Sequence, residues 1–157
     1  MIIISHRGNL YGKDVDRENT QEAIEEALAQ GFDVEVDLWV VDGFLYLGHD
    51  KPQYAITISW LNNKSQHLWI HAKNIEAAEF LSDHAKNPLL HWFWHEEDAM
   101  TITNKGFIWS YPKIWMNNCV TVELKYTVLP DSIKGVCTDV PLLYKEAMKD
   151  QNTEISA

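Results

Sequence analysis

At 157 residues and 46% hydrophobic content, the chain is one domain's worth of sequence, enough for a single core. A net charge of −10 argues against a sequence-independent grip on nucleic acid, which needs basic surface to neutralise phosphates. No run is long or apolar enough to span a membrane, and Met1-Ile2-Ile3-Ile4 is too short for the apolar region of a signal peptide.

Ile2 to Ser5 is apolar and β-branched, which predicts a short buried strand ending in His6-Arg7-Gly8. Asn9 to Arg17 is polar with a glycine and reads as a loop. Glu18-Asn19-Thr20 opens a helix through Ala29, with Ala23, Ile24, Ala27 and Leu28 at helical spacing. Asn19 and Thr20 are both candidate N-caps, and Gly31 is a natural stop.

Phe32 to Asp50 is the most informative stretch. Val34, Val36 and Leu38 fall on one face of a period-two segment, and Asp33, Glu35 and Asp37 on the other. Such a strand turns its carboxylates toward water or toward a metal ion. Asp42-Gly43 predicts a tight turn, and Phe44 to Leu47 returns His49 and Asp50 to the end of the strand carrying Glu35 and Asp37. Two carboxylates and a His-Asp pair therefore meet at one place. Hard oxygen donors projecting from one face, with open positions, suit Mg2+, Ca2+ or Mn2+.

Beyond Asp50, Ile56 to Leu61 fits one helical turn. His67 to Lys73 is a strand with Leu68, Ile70 and Ala72 on one face and Trp69, His71 and Lys73 on the other. Asn74 caps a helix to about Asp83, with a polar boundary before Pro88. Leu89 to His95 is a strand, Glu96 to Met100 a brief helical turn, and Phe107 to Tyr111 another strand. Val120 to Leu124 sets Val120, Val122 and Leu124 opposite Thr121 and Glu123. Ile133 to Asp139 is the last strand, and Pro141 begins a helix ending near Lys149. Residues 1–150 thus read as one domain and 151–157 as a polar, frayed tail. Cys119 and Cys137 make no disulfide framework, though one bridge between them is open, and a reducing, cytoplasmic setting suits the chain. Most of the seven tryptophans read as core.

Strands alternating with helices or short connectors predict an α/β fold with a parallel sheet, open or closed into a barrel. The polar residues at successive strand ends are His6, Asp37, Lys73, His95, Glu123 and Asp139. They favour a compact (β/α)8-type TIM barrel, whose active site lies at that end. No Gly-rich phosphate loop follows the first strand, as an open doubly wound sheet would lead one to expect. Such barrels usually run to about 250 residues, so several helices must be shortened or missing. A thin helical ring would leave apolar wall for a homodimer to cover.

The motifs His6-Arg7-Gly8, Glu18-Asn19-Thr20, Glu35-Val36-Asp37, Asp42-Gly43 and His49-Asp50 stand in the order, and near the spacing, of one known family. On these residues the first third of the chain resembles the glycerophosphodiester phosphodiesterases, and more broadly the barrel phosphodiesterases related to phosphoinositide-specific phospholipase C. Thr138-Asp139-Val140-Pro141 looks like that family's closing strand. Two departures stand out. His71-Ala72-Lys73 has histidine where the family carries a metal-binding glutamate, and too few residues follow Asp50 to hold the family's small inserted subdomain.

The resemblance implies a metal-dependent phosphodiesterase that takes a small glycerophosphodiester-like molecule to a phosphomonoester and an alcohol. It implies His6 and His49 as the general acid/base pair, without assigning which is which. Arg7 and Lys73 would hold phosphate oxygens as charge develops on them. Glu35 and Asp37 would hold a divalent ion, Mg2+ or Ca2+ before others. Glu18 and Asn19 would support the site, and Asp50 would orient His49 or cap the next turn. The third metal ligand stays open between His71, whose imidazole favours Mn2+ or Zn2+, and Glu123, from the polar face of its strand. Two alternatives stand beside this reading: a degenerate barrel that binds a phosphorylated ligand without turnover, and a metal hydrolase of another ester.

Overall fold

Side-chain alternation decides what each strand buries, and the computed structural model, which describes residues 1–83 and 88–154, shows the outcome. In chain order the elements are β1 (Ile2–His6), α1 (Gln21–Ala29), β2 (Asp33–Val41), β3 (Phe44–Leu47), β4 (Tyr54–Ile56), α2 (Ile58–Asn63) and β5 (Leu68–Ala72). There follow α3 (Ile75–Ser82), β6 (Trp92–Trp94), β7 (Met100–Ile102), β8 (Ile108–Ser110), β9 (Cys119–Val122), β10 (Gly135–Thr138) and α4 (Pro141–Glu154). Seven strands run parallel in the order β6-β5-β2-β1-β10-β9-β8. The β2–β3–β4 meander and β7 are antiparallel additions.

The result is an α/β fold with a curled sheet. Its two ends, β6 and β7, meet without a continuous ladder: Asn104 N donates to Trp92 O at 3.0 Å, Trp92 N donates to Asn104 Oδ1 at 2.9 Å, and Thr101 Oγ1 donates to Trp94 O at 3.0 Å. The expected ring of helices is much reduced. Among the described residues no helix lies between β6 and β10, and the strands there are joined by loops. No helix is long and apolar enough to cross a membrane among those residues.

Two cores follow from the alternation. On the outer face Val34, Val36, Leu38, Leu68 and Ile70 pack with Ile24 and Ala27 of α1 and with Ala77 and Leu81 of α3. On the inner face Ile4, Trp69, Phe93, Trp109, Val120, Val122 and Cys137 form a second cluster. Phe93 stacks on Trp109 at 4.5 Å between ring centroids, and Trp69 meets Phe107 edge-on at 5.1 Å. Each such large side chain fully buried contributes about 1.5–3 kcal/mol relative to exposure. Both cysteines are buried and free, so no bridge joins them.

Local chemistry sets the helix starts. Thr20 Oγ1 accepts from Ala23 N at 3.2 Å and is the N-cap of α1, which leaves Asn19 free for another task. Asn74 Oδ1 accepts from Ala77 N to cap α3 and also from Val40 N, tying the helix to β2. Four expectations are corrected. The turn expected over Ile56 to Leu61 is a strand end followed by a helix that begins at Ile58 behind a Thr57 cap. Glu96 to Met100 forms no helical turn; the chain bends and enters β7, where Thr101 and Ile102 pair with Trp109 and Ile108. The strand β4 was not anticipated and pairs Ile56 with Leu45. Helix α4 continues past Lys149 to Glu154, into the expected tail. The polar boundary before Pro88 and residues 155–157 lie outside the described residues.

Candidate active site

Strand register builds the site. The pairs His6↔Glu35 and Asp37↔His71 set four polar side chains side by side on the inner face of β1, β2 and β5, at the C-terminal ends of the strands. Asp37 is wholly buried and is the hub. Its Oδ2 accepts from Asn19 Nδ2 at 2.9 Å and lies 3.0 Å from Arg7 Nε; its Oδ1 lies 3.1 Å from His71 Nδ1 and 3.5 Å from Lys73 Nζ. Burial pushes the carboxyl up, but His49, His71 and the Arg7 charge outweigh it and hold Asp37 well below the usual carboxylate range.

Backbone strain positions the two residues that hold this hub. Arg7 has φ 56 and Asn19 φ 60, left-handed conformations that cost a non-glycine residue about 1–2 kcal/mol each. Arg7 N donates to Glu35 O, Asn19 N donates to Arg7 O, and Asp37 N donates to Asn19 Oδ1, so the strained segment is bonded at each step. At Gly8, φ +85, a Cβ would stand 2.8 Å from the backbone of Ala23; only glycine lets the β1 exit pass this close to α1. Glu18 accepts from Arg7 Nη1 at 3.2 Å and Asn9 Nδ2 at 3.1 Å, as a countercharge for Arg7. Burial opposes the Arg7 charge, yet Asp37, Glu35 and Glu18 together push the guanidinium pKa up.

Glu35 is less well served. Its Oε2 is buried with no hydrogen-bond partner, 3.9 Å from His6 Nε2, and its Oε1 lies 4.0 Å from His71 Nδ1. Burial and the neighbouring Asp37 charge push its carboxyl well above the ordinary range, and Arg7 and Lys73 offset this only in part. One atom each of Glu35, Asp37 and His71 lie within 4.8 Å of one another. Two carboxylates and an imidazole, one carboxylate oxygen orphaned, fit a divalent cation.

The two histidines differ. His6 Nδ1 is 2.7 Å from Asp139 Oδ1, which also accepts from Asn9 Nδ2 at 2.9 Å. Burial raises Asp139, but the hydrogen bonds from His6 and Asn9 help to outweigh it and lower the carboxyl, which accepts from His6 Nδ1. His49 follows Gly48, whose φ of +149 and 2.2 Å approach of a would-be Cβ to Lys51 O exclude other residues. Its ring is 42% exposed, with Nδ1 3.4 Å from Asp37 Oδ2, off hydrogen-bonding alignment, and Nε2 3.4 Å from Arg7 Nη2. Asp50 is almost fully exposed and only 3.5 Å from His49 Nε2, a loose contact.

A cavity of about 360 Å³ opens here. Its polar lining is His6, Arg7, Glu35, His49, His71 and Lys73, and its aromatic lining includes Phe93, Trp109 and Tyr111. Sequence reasoning left Asp139 and Tyr111 off the site. Asp139 already stood among the polar strand ends, but its partner His6 is 133 residues away, and no local pattern carries that contact. Glu123 stands apart from this group. Val120 and Val122 take the inner face of β9, and Glu123 Oε1 is engaged by Lys113 N at 2.9 Å and Trp115 Nε1 at 3.0 Å, outside the cavity. Among the described residues, His71 is the one that lies with Glu35 and Asp37.

No protein-family model and no curated protein sequence matches the chain. Among solved structures it is similar to a glycerophosphodiester phosphodiesterase from Agrobacterium tumefaciens strain C58, with a TM-score of 0.57 and 16% sequence identity. The match covers 95% of this chain and 99% of that one, and the likeness is one of fold.

Proposed function

We propose that this chain is a metal-assisted phosphodiesterase, a single domain over residues 1–150 that cleaves a small glycerophosphodiester-like substrate to a phosphomonoester and an alcohol. One observation carries the reading: His6, His49, Arg7, Lys73 and the Glu35–Asp37–His71 group converge on one end of the curled sheet. The fold likeness to a glycerophosphodiester phosphodiesterase supports it.

A divalent ion held by Glu35, Asp37 and His71 would supply Lewis-acid stabilisation of the phosphate. Arg7, fixed by Asp37 and Glu18, and Lys73 present positive charge that is already oriented before substrate arrives, which is where electrostatic catalysis gains most. His6, its Nδ1–H held by Asp139, offers a bare Nε2 to the cavity and takes the proton from the attacking oxygen, either water or a neighbouring substrate hydroxyl. His49, at the rim between Asp37 and Asp50, delivers a proton to the leaving alkoxide. Phe93, stacked on His71, and Trp109 form the apolar part of the lining and limit the water that reaches the reacting atoms.

The test is hydrolysis of bis(p-nitrophenyl) phosphate by metal-stripped protein re-supplied in turn with Mg2+, Ca2+, Mn2+ and Zn2+. Activity that requires an ion and falls by about 10²–10⁴ in His6→Ala and in His49→Ala is expected. A second reading, binding of a phosphorylated ligand without turnover, is favoured by the crowding of Asp37, whose oxygens already meet Arg7, Asn19, His71 and Lys73. Calorimetric binding of a phosphomonoester with no turnover of any diester would replace the first reading with the second. The proposal extends to a homodimer across the helix-free wall; a monomer at micromolar concentration in analytical ultracentrifugation would remove that part.

A further inference from the structure

The unusual member of the acidic group is His71, and its hydrogen bonds say how it is used. His71 Nε2 lies 2.9 Å from the backbone carbonyl of His95. A carbonyl oxygen can only accept, so Nε2 carries the hydrogen. The other ring nitrogen, Nδ1, faces Asp37 Oδ1 at 3.1 Å and Glu35 Oε1 at 4.0 Å. Two carboxylates and an imidazole nitrogen converge on one point, with Glu35 Oε2 buried and unpartnered, so a cation that displaces a proton from Nδ1 finds three ligand atoms in place.

We propose that His71 binds a metal ion through Nδ1 and that this nitrogen makes the site prefer Zn2+, then Mn2+, over Mg2+ and Ca2+; this rests on the reading of Glu35, Asp37 and His71 as the metal centre. The spacing agrees. Ligands about 2.0–2.1 Å from a tetrahedral ion are about 3.3 Å apart, and the 3.1 and 4.0 Å separations bracket that edge. The chemistry agrees as well. Mg2+ and Ca2+ are hard ions that seek six or more oxygen donors, whereas imidazole suits Zn2+, and affinity rises from Mn2+ to Zn2+ at a nitrogen-bearing site. Replacing a third carboxylate by a neutral imidazole also removes one negative charge, on which the hard ions depend most.

The ring is held for this purpose. It stacks on Phe93, 5.1 Å between centroids at 11°, and its side chain is 12% exposed. The carbonyl that orients it belongs to a residue fixed in turn: His95 Nε2 donates to Asp98 O, and Tyr111 Oη donates to His95 Nδ1 at 3.0 Å. Tyr111 and His95 are thus positioning residues, the outer support that metal-bound histidines commonly have.

The test uses metal-stripped full-length protein. Zn2+ generally outcompetes Mg2+ where nitrogen is present, so the deciding comparison is between variants. In competition calorimetry His71→Gln is expected to lose Zn2+ affinity by about 10–100-fold with little change for Mg2+, and His71→Glu to narrow the gap between the two ions. Long-range 1H–15N NMR of the imidazoles reads the ligand directly: Zn2+ should move the His71 Nδ1 resonance while Nε2 keeps its hydrogen. The inference is overturned if Mg2+ or Ca2+ binds wild type as tightly as Zn2+, or if both His71 nitrogens stay protonated at saturating Zn2+. Binding of ions without involvement of His71, alongside ion-dependent turnover, would sink this inference and leave the phosphodiesterase reading standing. Binding of no ion by any form would overturn both.

Discussion

Strands β1, β2 and β5 carry helices on their outer face, β6 borders α3 through Trp92 and Trp94, and among the described residues β7 to β9 carry none. On the first side β2 is nine residues long and its outward Val34, Val36 and Leu38 are fully buried. On the second side β6, β7 and β8 are three residues each, Trp92 and Trp94 are half-buried, and Ile102 is 70% exposed. The inner faces differ in the opposite sense. The helix-covered strands turn charge inward, through His6, Glu35, Asp37 and His71, whereas the bare strands turn in Phe93, Phe107 and Trp109. Strained, desolvated charge is expensive, and it sits where a second layer of packing can hold it. The thin wall has no such layer and draws its stability from the aromatic interior it faces.

Breaking the interior of the thin wall should cost most. Trp109→Ala is expected to destabilise by about 3–5 kcal/mol in urea unfolding, because a 1% exposed indole leaves a cavity and its stacking with Phe93 is lost. The outer faces should diverge next. Ile70→Ala, beneath the helices, should cost about 2–5 kcal/mol, whereas Ile102→Ala on the bare wall should stay within about 0.5 kcal/mol. Equal losses at the two positions would erase the comparison. Thr20→Ala removes the α1 cap and should cost about 1 kcal/mol; if Asn19 depends on that helix start, activity should fall further than stability does.

The comparison is also sharpened through pH. Burial, with help from the Lys105 charge, lowers His91 to about 4, where it packs 4.0 Å from the Trp69 ring and bonds to Thr103 Oγ1. Between about 6.5 and 4 the unfolded chain binds a proton that the folded chain refuses, so stability falls as pH drops through that window and levels below it. Chemical denaturation across pH 4–7 should show a shallower acid loss for His91→Gln than for wild type. The difference should not exceed one proton in slope.

The covered half was the legible half. Its long alternating strand, the Asp42-Gly43 turn and the Asn74 cap are local signals, and each sorts residues into faces or ends without knowledge of the rest. On the bare half the same rule left a choice open. The alternation Thr121-Val122-Glu123 has a polar face, which kept Glu123 beside His71 as a candidate third ligand. The interior there is instead apolar, beside Trp109, and Glu123 goes outward because the preceding loop supplies Lys113 N and Trp115 Nε1 as donors. Strand β7 is three residues long, too short to show a period. The Asn19 grip on Asp37 depends on a left-handed backbone that no residue pattern announces, and the Asp139–His6 bond on closure of β10 against β1.

The most direct test follows turnover of a glycerophosphodiester by 31P NMR with metal-replete wild type, His6→Ala and His49→Ala, each checked for fold by circular dichroism. The account predicts a phosphomonoester signal growing at the expense of the diester in wild type, and no growth in either folded variant. Turnover that survives both substitutions, or a diester untouched by wild type with every ion, would contradict it.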